Sequence, residues 1–506
     1  MTRTTKFFYN ALSSLLMQFV VTLSGMIIPR VMLKAYGSEI NGLVSSISQF
    51  VSYFSLVEAG LAAASVYALY KPLSDNDSER ISAVVCESKK FYFQTGYIFS
   101  ALVIILSFVY PFIAKTQHLS NIQIGLLTLA IGCSLALSYF VTAKYRVLLT
   151  ADQRNYVLNF LSIVSQIAYT LIVVVMTKSG FDIVLLRIVA ISHLLITPVF
   201  LHFYMKKKYP NINYKAEPAK GSIKQRWDAL LLQILGTVHT SFPVIVATIF
   251  TSLKEVSVYS IYNMVVLGVQ HIMGVFGTGL SASFGELLAK KEYETFRKAY
   301  DEYEWLTYFI ITVMLSCTMI LLQPFVDIYT TNITDTNYHR PLIGFLFVVN
   351  ALFFCVKNPQ GSLVSSAGLF KDTKKQTITQ AAIAIVVSLI LVKPLGIVGI
   401  LIGRILSNVY RVIDLLVYIP RKIGYISIKK SFLRVFAIAV QMCIICSMSV
   451  WLRIDVSTFF EWVLYAIIVF IFAFIVAIVF SIVFDNKTFV NVLRRFKTLI
   501  NTRRKA

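Results

Sequence analysis

Seven ionisable side chains stand inside otherwise apolar stretches of the sequence: Arg30, Glu58, Arg187, Lys357, Arg404, Arg411 and Asp414. A charge in hydrocarbon is costly and is normally kept only where it faces a polar cavity or an opposite charge. Five of the seven are basic, so a cavity built from them suits an anionic cargo, arginine's planar fork matching phosphate or carboxylate. Arg30, Glu58, Arg187, Lys357 and Arg404 are the candidate cargo-facing residues. Arg411 and Asp414 lie i, i+3 on one helical face and read as a structural ion pair. Glu58, deep in its apolar run, is the candidate for binding a coupling proton or Na+, with pairing to a cavity arginine as the alternative. The plainer alternative for each cation is a stem laid along apolar surface with its head in the headgroup layer, and Arg30 and Arg187 are shallow enough for it. No metal or other cofactor is implied: His193, His239 and His271 lack ligand spacing, and the Cys443–Cys446 pair lacks a second ligand pair.

The elements that must hold these residues are membrane helices. Of 506 residues, 57% are hydrophobic and only 14% charged, with a mean hydropathy of +0.74. That excludes a water-soluble globule. About fourteen runs approach or exceed the roughly 20 residues a bilayer crossing needs, among them 9–33, 42–70, 182–204, 228–251, 341–362, 378–393, 395–419, 432–452 and 460–484. The split of 378–419 rests on the turn signal "KPLG". With both termini placed in the cytoplasm, the inner segments carry 34 Lys and Arg and the seven outer loops carry 7. This positive-inside asymmetry accounts for most of the net charge of +23 and removes the case for a nucleic-acid partner.

The chain also reads as doubled. The longest inner segment, 205–227, is basic and proline-bearing, and it separates a first six-helix lobe (1–204) from a second (228–420). At an offset near 217, "GLAAASVYALY" echoes "GLSASFGELLA", and Arg187 of "LLRIVAIS" falls on Arg404 of "LIGRILSN". Pro29 and Pro243 open corresponding helices of the two halves and are the candidate hinges. Two further helices fill 421–484, and the basic amphipathic tail 485–506 is placed on the anionic inner leaflet. The predicted fold class is thus an all-α polytopic membrane protein of two pseudo-symmetric six-helix lobes plus two helices.

No Walker A sequence and no long outer loop is present, so neither ATP hydrolysis nor a large catalytic platform is indicated, and the chain is not read as an enzyme. The stretch "IIPRVMLKAYGSEINGLVSSISQFVSYFSLVEAGLAAASVYALYKPL" resembles the first two helices of bacterial polysaccharide flippases, the Wzx type of the MOP superfamily that also holds MATE exporters. The resemblance lies in the arginine after Pro29, the turn "YGSEING", the acid in "LVEAGL" and the exit "ALYKPL". It implies a MATE-like V of two lobes around a cationic cavity in the bacterial plasma membrane. It further implies alternating-access transfer of an undecaprenyl-diphosphate-linked oligosaccharide from inner to outer leaflet for surface polysaccharide synthesis, in company with a glycan polymerase. Under the resemblance Arg30 and Glu58 match the cavity arginine of helix 1 and the acid of helix 2. The alternatives are a MATE-type cation-coupled drug exporter, disfavoured by the excess of Arg and Lys in the spans, and a membrane glycan polymerase or ligase, disfavoured by the short outer loops.

Overall fold

Hydrocarbon offers a peptide group no hydrogen-bond partner, so an apolar chain of this length must satisfy its backbone within its own segments, and helices do so. The computed structural model describes residues 3–58, 61–114, 116–214, 216–218, 241–275, 280–369, 371–451 and 456–505, and every regular element among them is helical. In chain order these are α1 (Arg3–Phe54), a 3-10 turn (Ser55–Glu58), α2 (Leu61–Ser74), α3 (Ser78–Ile113), α4 (Asn121–Val141), α5 (Ala143–Ala151), α6 (Asn155–Lys178), α7 (Ile183–Ala190), a second 3-10 turn (Ile191–Leu195) and α8 (Ile196–Lys208). There follow α9 (Ser241–Phe250), α10 (Leu253–Val275), α11 (Leu280–Ala289), α12 (Tyr293–Tyr329), α13 (Pro341–Val356), α14 (Asn358–Ser366), α15 (Lys374–Leu395), α16 (Ile397–Ile423), α17 (Ile428–Trp451) and α18 (Phe459–Lys505). Eleven stretches of the described residues are long and apolar enough to cross a membrane, with Ser241–Phe250 a shorter apolar piece. The all-α polytopic membrane fold predicted from the sequence is the fold observed. His239, residues 219–227 of the linker and 228–240 of the seventh run lie outside the described residues.

The chain divides into two compact units, Met1–Ser260 with Asn332–Thr336, and Ile261–Thr331 with Asn337–Ala506. In the first, α1 lies along α6, α3 along α4, and α2 against α3 and α5. Its core takes Leu43, Ile47 and Val51 from α1, Val85, Tyr92 and Phe99 from α3, and Leu127 and Leu148 from α4 and α5. In the second, α15 and α16 form a close hairpin, α13 packs on α16, and α12 lies along α17 and α18. The "KPLG" signal falls where the sequence placed it: Gly396, at φ 55°, turns the chain from α15 into α16. Gly403 then allows close approach, since a Cβ there would run into Ser388 of α15.

Several runs read as single helices are interrupted. The run 42–70 breaks into a 3-10 turn at Ser55–Glu58, the run 182–204 at Ile191–Leu195, and the run 341–362 at Lys357. Conversely, the polar stretch 71–90 is mostly helix. Asp77 accepts from the Arg80 N–H to cap α3, and Ile81, Val84 and Val85 recur at helical spacing on a buried face. α1 runs through Pro29, and its departure from helical backbone falls at Gly37 (φ 79°, ψ 176°). Pro243 lies within α9. α18 bends at Asp485 (φ −143°) and continues as helix to Lys505.

Candidate functional site

In the second unit the helix break at Lys357 has a cause in the sequence. Pro359 has no N–H to return to residue 355 and its ring crowds that carbonyl, so the helix ends there, and Pro359 is accommodated in the first turn of α14. The Lys357 Nζ donates to Asn408 Oδ1 at 2.9 Å and lies 4.5 Å from the Phe354 ring centroid. Asn408 is fully buried on α16; its Nδ2 donates to Asn350 Oδ1 at 3.0 Å, and Gln380 Nε2 donates to its Oδ1 at 3.2 Å. The Ser407 hydroxyl in turn donates to the Gln380 carbonyl at 2.8 Å. Arg404, Asn408 and Arg411 follow one another at i, i+4 and i+7 on one face of α16. Arg411 donates to Asp414 at 2.7 Å. Lys357 is thus held to the face of α16 that carries both arginines.

Four of the candidate residues, Lys357, Arg404, Arg411 and Asp414, are therefore brought to one place: three cations and one carboxylate beside a buried amide cluster. The amides Asn350, Gln380 and Asn408 carry no charge and escaped a search of the sequence for charged residues. Asn408 accepts one hydrogen bond from the ammonium without neutralising it, and Asn350 and Gln380 hold Asn408 in place.

The first unit distributes its candidates. Glu58 ends the 3-10 turn between α1 and α2, and its carboxylate receives Arg146 Nη2 of α5 at 2.5 Å. Tyr92 of α3 and Tyr139 of α4 adjoin this pair. The arginine that answers Glu58 is thus Arg146, which the sequence assigns to an inner segment, and not Arg30. Arg30 is half-buried on α1, seven residues before the Gly37 turn. Arg187 closes α7 and donates to the Tyr169 hydroxyl of α6, whose ring lies 4.9 Å from that of His193. At the Gly37 turn, Asp335 accepts from Ser38 N at 2.7 Å and Ser38 Oγ at 2.6 Å, capping the second part of α1, while Lys254 donates to the Asp335 carbonyl.

Outside the spans, Asp152 gathers three elements in the first unit. Lys6 of α1 reaches it at 2.7 Å, Arg154 at 2.6 Å, and Tyr209, just after α8, donates to it. Burial alone would raise the carboxyl's pKa, but the hydrogen bonds from Lys6, Tyr209 and Arg154 outweigh it and hold the group below its ordinary range.

Sequence inspection also missed a buried charge network that joins α12 to the last two helices. Glu304, 2% exposed, accepts from Arg434 of α17 at 2.7 Å, Ser431 at 2.7 Å and Gln360 of α14 at 2.7 Å. Arg434 also meets Asp485 of α18 and Asp301. Arg434 was the available signal, a cation within the run 432–452. Beside it, Trp305, Phe309, Leu433, Phe436, Phe480 and Phe484 line an apolar cavity of about 390 Å³ between α12, α17 and α18.

No known protein-family signature matches the chain. No curated protein matches it in sequence. Solved structures do share its fold. A structure titled lipid II flippase MurJ in an inward closed conformation superposes with a TM-score of 0.65 at 15% identity, over 94% of this chain and 99% of that one. An inward-facing multidrug resistance MATE family transporter of the MOP superfamily gives 0.61 at 13% identity, over 83% and 99%. A MATE structure in the straight conformation gives 0.56 at 12% identity, over 83% and 96%.

Proposed function

We propose that this chain is a MOP-superfamily flippase of the Wzx type. It carries an undecaprenyl-diphosphate-linked oligosaccharide from the inner to the outer leaflet of the bacterial plasma membrane by alternating access. The cargo then feeds a glycan polymerase that builds a surface polysaccharide. Both termini are cytoplasmic, the lobes are 1–204 and 228–420, and the helices of 421–484 are additional to them. The observation that carries this reading is the site around Lys357: an ammonium within the spans, held by a neutral amide, with Arg404 and Arg411 on the same face of α16 as that amide and Asp414 paired to Arg411. A diphosphate is the part of the cargo such a site suits. Arg30 and Arg187 are proposed to contribute from the first unit. Glu58, already held by Arg146, is proposed as a pairing residue, and Glu58→Gln assayed under an imposed proton or Na+ gradient separates that role from ion coupling.

Two further observations support a lipid-linked cargo over a cationic drug. The apolar cavity beside Trp305 and Phe484 offers a place for a lipid chain. The likeness to the lipid II flippase extends over 94% of the chain, against 83% for the MATE transporter, so it takes in more of the molecule. Deleting the gene tests the proposal. Undecaprenyl-linked repeat units should accumulate in the inner leaflet, and unchanged glycan with altered dye efflux would assign drug export instead.

A further inference from the structure

We propose that Asn408 is a positioning residue, whose carboxamide fixes the Lys357 ammonium at the helix break through a hydrogen bond that leaves its positive charge unspent for the anionic part of the cargo. The inference rests on the reading above, in which Lys357 contacts that anion.

The Asn408 carboxamide is engaged at both its oxygen and its nitrogen. Its Oδ1 accepts from Lys357 and from Gln380, and its Nδ2 donates to Asn350 Oδ1. Asn350 and Gln380 are 2% and 4% exposed, so the carboxamide is clamped from α13 and α15 behind it. Its orientation is chemically forced, because an ammonium has only donors and requires the oxygen to face it. Lys357 is half-buried at the helix break, and only one of its three ammonium N–H groups is used by Asn408.

What marks the arrangement is the choice of partner. Arg411 is answered by Asp414, Arg146 by Glu58, and Arg434 by Glu304 and Asp485. Among the described residues no carboxylate lies within 4.0 Å of Lys357, although a carboxylate is isosteric with the carboxamide of residue 408 and would compensate the buried charge better. An aspartate there would preserve the shape and spend the charge. Asparagine preserves the shape and keeps it.

The test uses the full chain in vesicles of phosphatidylethanolamine and phosphatidylglycerol, with an undecaprenyl-diphosphate-linked oligosaccharide as probe and leaflet accessibility as readout. N408D and K357Q should each raise the apparent KM about tenfold, the size expected for losing one charge-assisted contact, while N408D keeps the maximal rate within about twofold. The N408D/K357Q double variant should be no worse than K357Q alone, since the same charge is already lost. Parental KM for N408D with an impaired K357Q overturns the positioning role and leaves the site reading standing. Parental kinetics for K357Q overturns both. If N408D does not fold, N408A removes the same acceptor without adding a charge and should likewise raise the apparent KM, a parental KM overturning the positioning role.

Discussion

A cation within a membrane helix must be answered by something, and in this chain the partner reports the cation's use. Arg434 is answered by the buried Glu304 and by Asp485, and this is structural work. Glu304→Ala would leave Arg434 short of its most buried partner and orphan the Gln360 and Ser431 donors, at a cost of about 3–5 kcal/mol. Thermal unfolding in detergent should show it, and an unchanged midpoint would contradict the assignment. Asp152 makes a pH prediction. Its carboxyl is held below the ordinary range, so its contribution to stability is complete above about pH 4, the unfolded value, and is lost as pH falls toward the folded one. Asp152→Asn should therefore be less stable than the parent at pH 7, with the gap closing under acid. At this scale the sequence was informative about charges and silent about partners. The i, i+3 spacing of Arg411 and Asp414 announced their contact, whereas Arg146 is 88 residues from Glu58 and no local pattern links them. Neutral Asn408 carried no signal, because its importance comes from what three helices place around it.

Among the elements, it is the interruptions that position chemistry. Lys357 stands at a break, Glu58 ends a 3-10 turn, and Arg187 stands four residues before another. Proline and glycine punctuation explains part of this. Pro359 dictates the Lys357 break and Gly396 the α15–α16 turn, and both are readable from sequence. The prolines proposed as hinges are less telling than the glycine downstream, because α1 passes through Pro29 and leaves helical backbone at Gly37. Two substitutions test this turn. Gly37→Ala forces a side chain onto φ 79°, ψ 176°, a backbone region essentially reserved for glycine, which costs roughly 1–3 kcal/mol. Asp335→Ala removes the cap on Ser38 and should cost about 0.5–2 kcal/mol. Both should lower the unfolding midpoint, and no change for Asp335→Ala would mean the cap contributes nothing. Run lengths hid the 3-10 breaks at Ser55–Glu58 and Ile191–Leu195, since an apolar run looks the same whether the helix within it is continuous or broken.

For the whole molecule, composition and loop charge were enough to predict an all-helical polytopic membrane fold, because lipid leaves the backbone few alternatives. The breaks add to the case for doubling. Thr142 between α4 and α5 and Lys357 between α13 and α14 stand near the same offset, about 217 residues, that relates the sequence echoes. The first unit carries Arg146 shortly after its break, paired with Glu58, and the second carries Lys357 at it, with no carboxylate within 4.0 Å among the described residues. The proposed movement of a diphosphate-linked oligosaccharide across the bilayer is measured directly by reconstitution. Vesicles holding the purified chain and the labelled lipid-linked sugar should show protein-dependent transfer between leaflets, slowed about tenfold at low substrate by K357Q. No transfer above protein-free vesicles, alongside exchange of a cationic dye, would contradict the account.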